Sequence, residues 1–211
     1  MNQLMQRLRQ WFGSRQHTLS WQQYRYLAID LELSGLEHKK DQILSVAWVP
    51  VQPPHILLHQ RRSFVINTRV TLGQSPAIHG LTREHLDQGS ELKEALHRLA
   101  EDTQAYPHTL WLFHHAPLDM AFLREAHELL GLEFSPPKVI DTLALEHKTL
   151  KRRGKAPEIE GLSLDKCRAR YELGPHPAHN ALEDAIATAE LFLAYCYRNF
   201  RAQPHTLRSL L

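Results

Sequence analysis

Cysteine is scarce in this chain of 211 residues. Cys167 and Cys196 are the only two, too few for a disulfide framework and lacking the paired spacing of a thiolate zinc motif. Both read as small core residues. Long apolar runs are missing as well: the longest uncharged window, residues 42–60, is broken by Pro50, Pro53, Pro54, His55 and His59, which excludes a transmembrane helix there. The N-terminus lacks the apolar stretch and small-residue cleavage site of a secretory signal. Its arginine-bearing, acid-free character resembles a mitochondrial transit peptide, but a cytoplasmic protein is the simpler reading. No internal repeat and no low-complexity tract is present. With 43% apolar and 23% charged residues, the composition excludes a disordered or collagen-like chain and suits one globular domain with a sizeable core.

Acid is absent from the front of the chain. Residues 1–29 hold Arg7, Arg9, Arg15 and Arg25 and no carboxylate, whereas the remaining 182 residues carry 21 basic and 23 acidic side chains. The overall +2 therefore averages a basic front end and a slightly acidic body. Within residues 2–12, Leu4, Leu8, Trp11 and Phe12 recur on one face opposite arginines, the pattern of a short amphipathic helix that docks on the body, on a partner or on a membrane surface. The organisation expected is an N-terminal extension over 1–23, one main domain over 24–200 and a tail over 201–211.

Strand patterns cover residues 25–32, 43–49 (closed by Pro50) and 56–66, with a fourth strand over 110–114 and a short fifth over 139–140. Helical patterns cover 90–100, with Ser90 as N-cap, then 118–130, 163–171 and 180–198. Three strands followed by alternating helices and strands predict an α/β fold with a mixed five-stranded sheet flanked by helices. The run His147-Lys148-Thr149-Leu150-Lys151-Arg152-Arg153-Gly154-Lys155 falls in an expected loop, where it would serve as a polyanion clamp, although most basic runs are simply solvated.

The informative acids are those set in apolar surroundings. Asp30 and Glu32 end the first strand, in Ala28-Ile29-Asp30-Leu31-Glu32, and their i, i+2 spacing points both carboxylates to one face. Like charges held side by side repel and resist burial, and a hard divalent cation would offset this. Asp119 follows His114-His115-Ala116-Pro117-Leu118, where the fourth strand gives way to a helix, a position the helix dipole also favours for an ordinary acid. Asp184 lies in the first turn of the last helix. Asn180 is that helix's expected N-cap and Glu183 completes a capping-box pattern, leaving His179 just outside it. Each of these residues alone has an ordinary structural explanation; their order and context point to a site.

Taken together, Asp30-Leu31-Glu32 with Gly35-Leu36, His114-His115-Ala116 with Asp119, and His179 with Asp184 five positions on resemble the three motifs of the DEDD exonuclease superfamily. The histidine spacing is that of the DEDDh branch, which includes the proofreading subunit of bacterial DNA polymerase III and ribonuclease T. The resemblance covers residues 24–198 and extends to His79-Gly80-Leu81-Thr82 and Asp141-Thr142. It implies a ribonuclease H-like fold and metal-dependent 3′-to-5′ hydrolysis of single-stranded DNA or RNA from a free 3′ end to nucleoside 5′-monophosphates. Asp30, Glu32, Asp119 and Asp184 would hold two Mg²⁺ or Mn²⁺ ions, and His179 would be the general base, a role its near-neutral intrinsic pKa suits. Residues near the substrate would be Leu33, Ser34, Gly35, Leu36, His79 and His115, with Leu33 and Leu36 wedged against the terminal base.

Departures from the family pattern concern substrate contacts. Leu33-Ser34 stand where two threonines are common, and His115 where asparagine is frequent. His176 precedes His179 by three residues but is wrongly spaced from Asp184 for the motif and reads as a loop histidine, and Asp141 reads as a supporting or structural acid. Relatives that form homodimers or serve polymerases make both kinds of partner open to test. Residues 203–211 only loosely resemble a sliding-clamp peptide. A non-catalytic nucleic-acid-binding module on the same fold is the alternative. A zinc enzyme built from the 15 histidines is disfavoured, since there is no His-Glu-x-x-His pair and the adjacent His114 and His115 point to opposite sides of a strand.

Overall fold

The computed structural model describes residues 19–70, 80–155, 158–200 and 206–211. The helix expected over 2–12 and His79 lie outside the described residues. The central strand β1 (Arg25–Leu33) is buried on both faces, because its sequence RYLAIDLEL runs apolar without alternation from Tyr26 to Ile29. It pairs antiparallel with β2 (Ile43–Gln52) and parallel with β5 (Thr109–Phe113), which pairs parallel with β6 (Val139–Asp141). Two short strands, β3 (His55–Ile56) and β4 (Arg62–Val65), share the outer side of β2.

The mixed sheet expected from sequence is present, with six strands among the described residues instead of five. The run 56–66 is broken by a single 3-10 turn at Leu58–Gln60, so it yields β3 and β4. Nor does Pro50 end β2. Its carbonyl accepts from Leu57 N–H at 2.8 Å, so the missing proline donor faces the break between β3 and β4, where no ladder bond is lost.

Among the described residues, six helices flank the sheet: α1 (Arg83–Asp87), α2 (Leu92–Gln104), α3 (Ala116–Leu129), α4 (Thr142–Arg152), α5 (Leu164–Arg170) and α6 (Ala181–Asn199). Ser90 does not cap α2. Its N–H and C=O pair with Val65 and Asn67, and α2 begins two residues later behind Glu91. Gly89 makes this pairing feasible, since a Cβ there would lie 2.7 Å from Asn67 N and from Val65 O. Helix α4 is not among the expected elements, and it carries Lys148, Lys151 and Arg152 of the basic run on its last turns, with Arg153 and Lys155 just beyond.

Two cores result from the pleat of β1. Tyr26 and Ala28 face α6 and join Val49, Val51, Leu110, Leu112, Ala189 and Phe192. Leu27, Ile29 and Leu31 face α2 and α3, with Val46, Trp48, Trp111, Phe113, Leu96, Leu99, Phe122 and Leu123. Trp111 is thus a core residue, and both cysteines are free and buried. Trp21 and Leu207 also belong to the α6-side core, so packing extends past both boundaries at 24 and 200. No helix among the described residues is long and apolar enough to cross a membrane.

Candidate active site

Asp30 and Glu32 continue the face of Tyr26 and Ala28, the face covered by α6. That helix carries Asp184 in its first turn. One ligand oxygen from each of Asp30, Glu32 and Asp184 lies within 4.8 Å of the other two. Asp119 enters from the opposite layer, buried in the first turn of α3, where Pro117 stands at the helix start. The shift in β1–β2 register between Glu32 and Leu33 ends regular pairing beside these acids.

This crowding has an electrostatic signature. Burial, followed by the charges of Asp119, Asp184 and Glu32, pushes the Asp30 carboxyl well above its ordinary range. Burial and then Asp184 raise Glu32 to about 7. Asp119 is also raised well above its ordinary range, chiefly by burial, with Asp141 and Glu32 adding to the effect. Hydrogen bonds from its own backbone and from Leu31 oppose the shift without cancelling it. All three acids would be easier to ionise beside a cation. An all-oxygen set of converging carboxylates also fits hard divalent ions such as Mg²⁺ or Mn²⁺.

The loop after β1 is built around Asp41. Its carboxylate accepts from Glu37 N–H at 2.8 Å and from Ser34 Oγ at 3.3 Å, while Ser34 Oγ accepts from Gln42 N–H at 3.0 Å. Ser34 is therefore occupied in holding the loop. A Cβ on Gly35 would lie 2.4 Å from Asp41 Oδ2, so any larger residue here would have to displace the Asp41 carboxylate. Leu33 is partly buried against the α3-side core, whereas Leu36 is 76% exposed.

At the end of β5 the two histidines diverge. His114 is largely enclosed, with Nδ1 2.8 Å from Thr142 Oγ1 and Nε2 2.9 Å from Leu162 O; burial lowers its pKa. It joins β5 to α4 and to the segment before α5. His115 is exposed, adopts φ +80° and donates its N–H to Asp141 Oδ1 at 3.0 Å. Asp141 Oδ1 also accepts from Leu143 N–H at 2.9 Å as the N-cap of α4, so this acid holds the turn beside Asp119.

The segment before α6 holds the residue that sequence reasoning passed over. His179, at φ +66°, donates its backbone N–H to Asp184 Oδ2 at 2.9 Å, but no hydrogen bond from its exposed ring occurs among the described residues. It is the His176 ring that meets the cluster, with Nε2 2.6 Å from Asp184 Oδ1. Asn180 caps α6 as expected, accepting from the N–H groups of Leu182 and Glu183. Motif spacing contains no signal for His176, because its contact depends on how the loop folds back. Its position near two acids, Asp165 and Asp184, in the same stretch of chain was the available hint.

Comparison with known proteins supplies independent findings. The model of the RNase T family, described as exonuclease, matches residues 27–192. The PolC-type DNA polymerase III of Thermotoga petrophila is 30% identical over 177 residues, which is 83% of this chain and 12% of that protein. Its counterpart from Thermotoga maritima is 30% identical over 171 residues, 81% of this chain and again 12% of the relative. The chain thus spans only a small part of these polymerases. Among solved structures, the nuclease domain of 3′hExo, a DEDDh family member bound to rAMP, superposes with a TM-score of 0.69 at 13% identity, covering 86% of this chain and 94% of that one. The zinc-bound complex of E. coli exonuclease I with single-stranded DNA gives 0.71 at 16% identity, covering 85% and 42%. At such identities the structural likeness speaks for the fold.

Proposed function

The chain belongs to the RNase T exonuclease family, and from this premise we propose that it is a DEDDh-type enzyme that hydrolyses single-stranded DNA or RNA from the 3′ end to nucleoside 5′-monophosphates. The observation that carries the proposal is the convergence of Asp30, Glu32 and Asp184 oxygens within 4.8 Å, with buried Asp119 alongside. When bound by Asp30, Glu32, Asp119 and Asp184, two Mg²⁺ or Mn²⁺ ions would activate the attacking water and stabilise charge on the leaving 3′ oxygen.

The chain's own groups do the rest. The His179 ring takes the proton of the attacking water. Its position one residue ahead of the Asn180 cap keeps it within reach of Asp184, and its exposure leaves it free to approach substrate. Leu36 stacks against the terminal base, and Leu33 with Gly35 and Ser34 shapes the loop that presents it. His115 contacts the terminal nucleotide. Grip on a single strand through backbone contacts and base stacking requires no sequence preference.

The test is incubation with 3′-labelled DNA and RNA oligonucleotides in Mg²⁺, Mn²⁺ or EDTA. Metal-dependent release of mononucleotides is expected, with loss in Asp30→Ala and Asp184→Ala. Persistence of hydrolysis in both variants would refute the site. His179→Ala should collapse turnover while metal-supported oligonucleotide binding persists.

A further inference from the structure

We infer that His176 is a positioning residue that fixes the Asp184 carboxylate in its metal-binding orientation, with Asp165 aligning the histidine ring. This rests on the metal-site reading proposed above and adds residues outside the four acids and His179. Both Asp184 oxygens are engaged from one loop: Oδ1 by His176 Nε2 at 2.6 Å, Oδ2 by the His179 backbone N–H at 2.9 Å. The side chain of Asp184, 14% exposed, is therefore locked about its own torsions. A ligand fixed in this way loses little freedom when a cation arrives.

The histidine is itself held. Its side chain is only 7% exposed, and Nδ1 lies 3.0 Å from Asp165 Oδ1. That approach is a close contact without a hydrogen bond, since the buried Nδ1 has no hydrogen-bond partner among the described residues. The ring is thus bracketed by one acid from α5 and one from α6. Such a buried, imperfectly satisfied nitrogen costs stability, and orientation of a functional carboxylate supplies a reason for keeping it.

Arg168 clamps the same loop two residues upstream. Its guanidinium donates to Gly174 O at 2.9 Å, to Ala187 O at 3.0 Å and to Glu190 Oε2 at 2.7 Å. The path of the chain into His176 is therefore tied to α6, the helix that carries Asp184. His176 Nε2, engaged by Asp184, is not free to serve the attacking water, which distinguishes its role from that of His179.

The experiment measures Mn²⁺ binding directly, by calorimetry and by electron paramagnetic resonance of free Mn²⁺, on the full chain. The variants are His176→Ala, His176→Asn, Asp165→Asn and His179→Ala. Loss of a residue that orients a metal ligand weakens affinity by roughly 10- to 100-fold. His176→Ala should show that loss, His176→Asn should recover part of it through its amide donor, and Asp165→Asn should weaken binding less. Saturating Mn²⁺ should restore turnover in His176→Ala but not in His179→Ala. Wild-type Mn²⁺ affinity in His176→Ala, or a loss of turnover that saturating Mn²⁺ leaves unchanged, would overturn the inference. If His176→Ala fails to fold, by circular dichroism in EDTA, His176→Asn and Asp165→Asn decide by the same criterion. Absence of Mn²⁺ binding by the wild-type chain would refute the underlying metal-site reading, and the inference with it.

Discussion

Removing metal should make Glu32 a liability whose size depends on pH. Burial and the neighbouring Asp184 raise its pKa from 4.5 to about 7 in the folded chain, so the folded state holds the proton more tightly than the unfolded state does. Below about pH 4.5 the group is protonated in both states and costs nothing. As pH rises through 7, the unfolded chain releases its proton readily while the folded chain must ionise a crowded carboxylate. Stability is lost across that interval and stays lost above it. A shift of this size corresponds to ~3 kcal/mol at most. Asp30 and Asp119 are raised in the same sense, so the whole cluster destabilises the metal-free protein toward alkaline pH.

Glu32→Gln isolates the effect. In EDTA at pH 8 the variant should be more stable than wild type, by up to ~3 kcal/mol or roughly 6–12 °C in melting temperature for a domain of this size. At pH 4 the two should melt together. Saturating Mn²⁺ at pH 8 should reverse the order, because binding would stabilise the folded wild type by mass action while the variant would lack one of the proposed ligands. Thermal unfolding followed by circular dichroism at the two pH values, with and without Mn²⁺, gives all the comparisons. A Glu32→Gln variant less stable than wild type in EDTA at pH 8 would refute the reasoning, since it would mean that the ionised carboxylate is well accommodated without a cation.

Two further outcomes follow from individual contacts. Gly35→Ala drives a methyl group toward Asp41 Oδ2, 2.4 Å from an ideal Cβ, and should cost ~1–3 kcal/mol by displacing the Asp41 carboxylate from its loop bonds; a chemical denaturation midpoint equal to wild type would show that the loop yields freely. At the end of α4, Lys148, Arg152 and the C-cap residue Arg153 line a hollow of about 370 Å³ beside Tyr195. If these cations grip single-strand phosphates, replacing all three by Gln lowers the slope of log affinity against log salt by roughly 2 and leaves Mn²⁺ affinity unchanged; an unchanged slope in fluorescence anisotropy assigns them to a solvated helix end.

Asp30 and Glu32 were legible because acids inside an apolar strand violate the pattern around them, and the pleat then dictates that they share a face. Asp184 was legible because Asn180 marks the helix start. Helix α4 was hidden for the converse reason. Its buried positions include Thr142, Glu146 and Thr149, so its inner face does not look apolar in sequence. Glu146 is tolerated there because Arg170 and Tyr171, 24 and 25 residues away, hydrogen-bond it at 2.9 and 2.7 Å. His176 was hidden for a similar reason, since its contact depends on an Arg168 clamp that reaches across two helices. Ser90 shows the limit of local signals: its capping chemistry was real, but a backbone pairing with 65–67 claimed the residue first.

The same separation of strand signal from tertiary placement yields a last test, in the seat of α6. Asp184 can meet Asp30 and Glu32 only if α6 lies close to β1 and β2, and the buried side of this helix is unusually slim. Ala181, Ala185 and Ala189 recur at every fourth position and are 3%, 0% and 0% exposed. Ala185 adjoins Asp184 yet is neither a ligand nor a proton carrier. Ala185→Leu adds three carbons to a filled interior, which costs ~1–3 kcal/mol by overpacking and should lift the first turns of α6 away from the sheet. Because the C-terminal part of the helix is anchored separately by Phe192 and Tyr195 in the core, the fold should survive while the carboxylates separate. Mn²⁺ affinity is then expected to fall more steeply than stability. A conservative Ala185→Ser, nearly the same size, should retain both. If Ala185→Leu loses stability yet binds Mn²⁺ as wild type does, the close seating of α6 does not set the spacing of the acids.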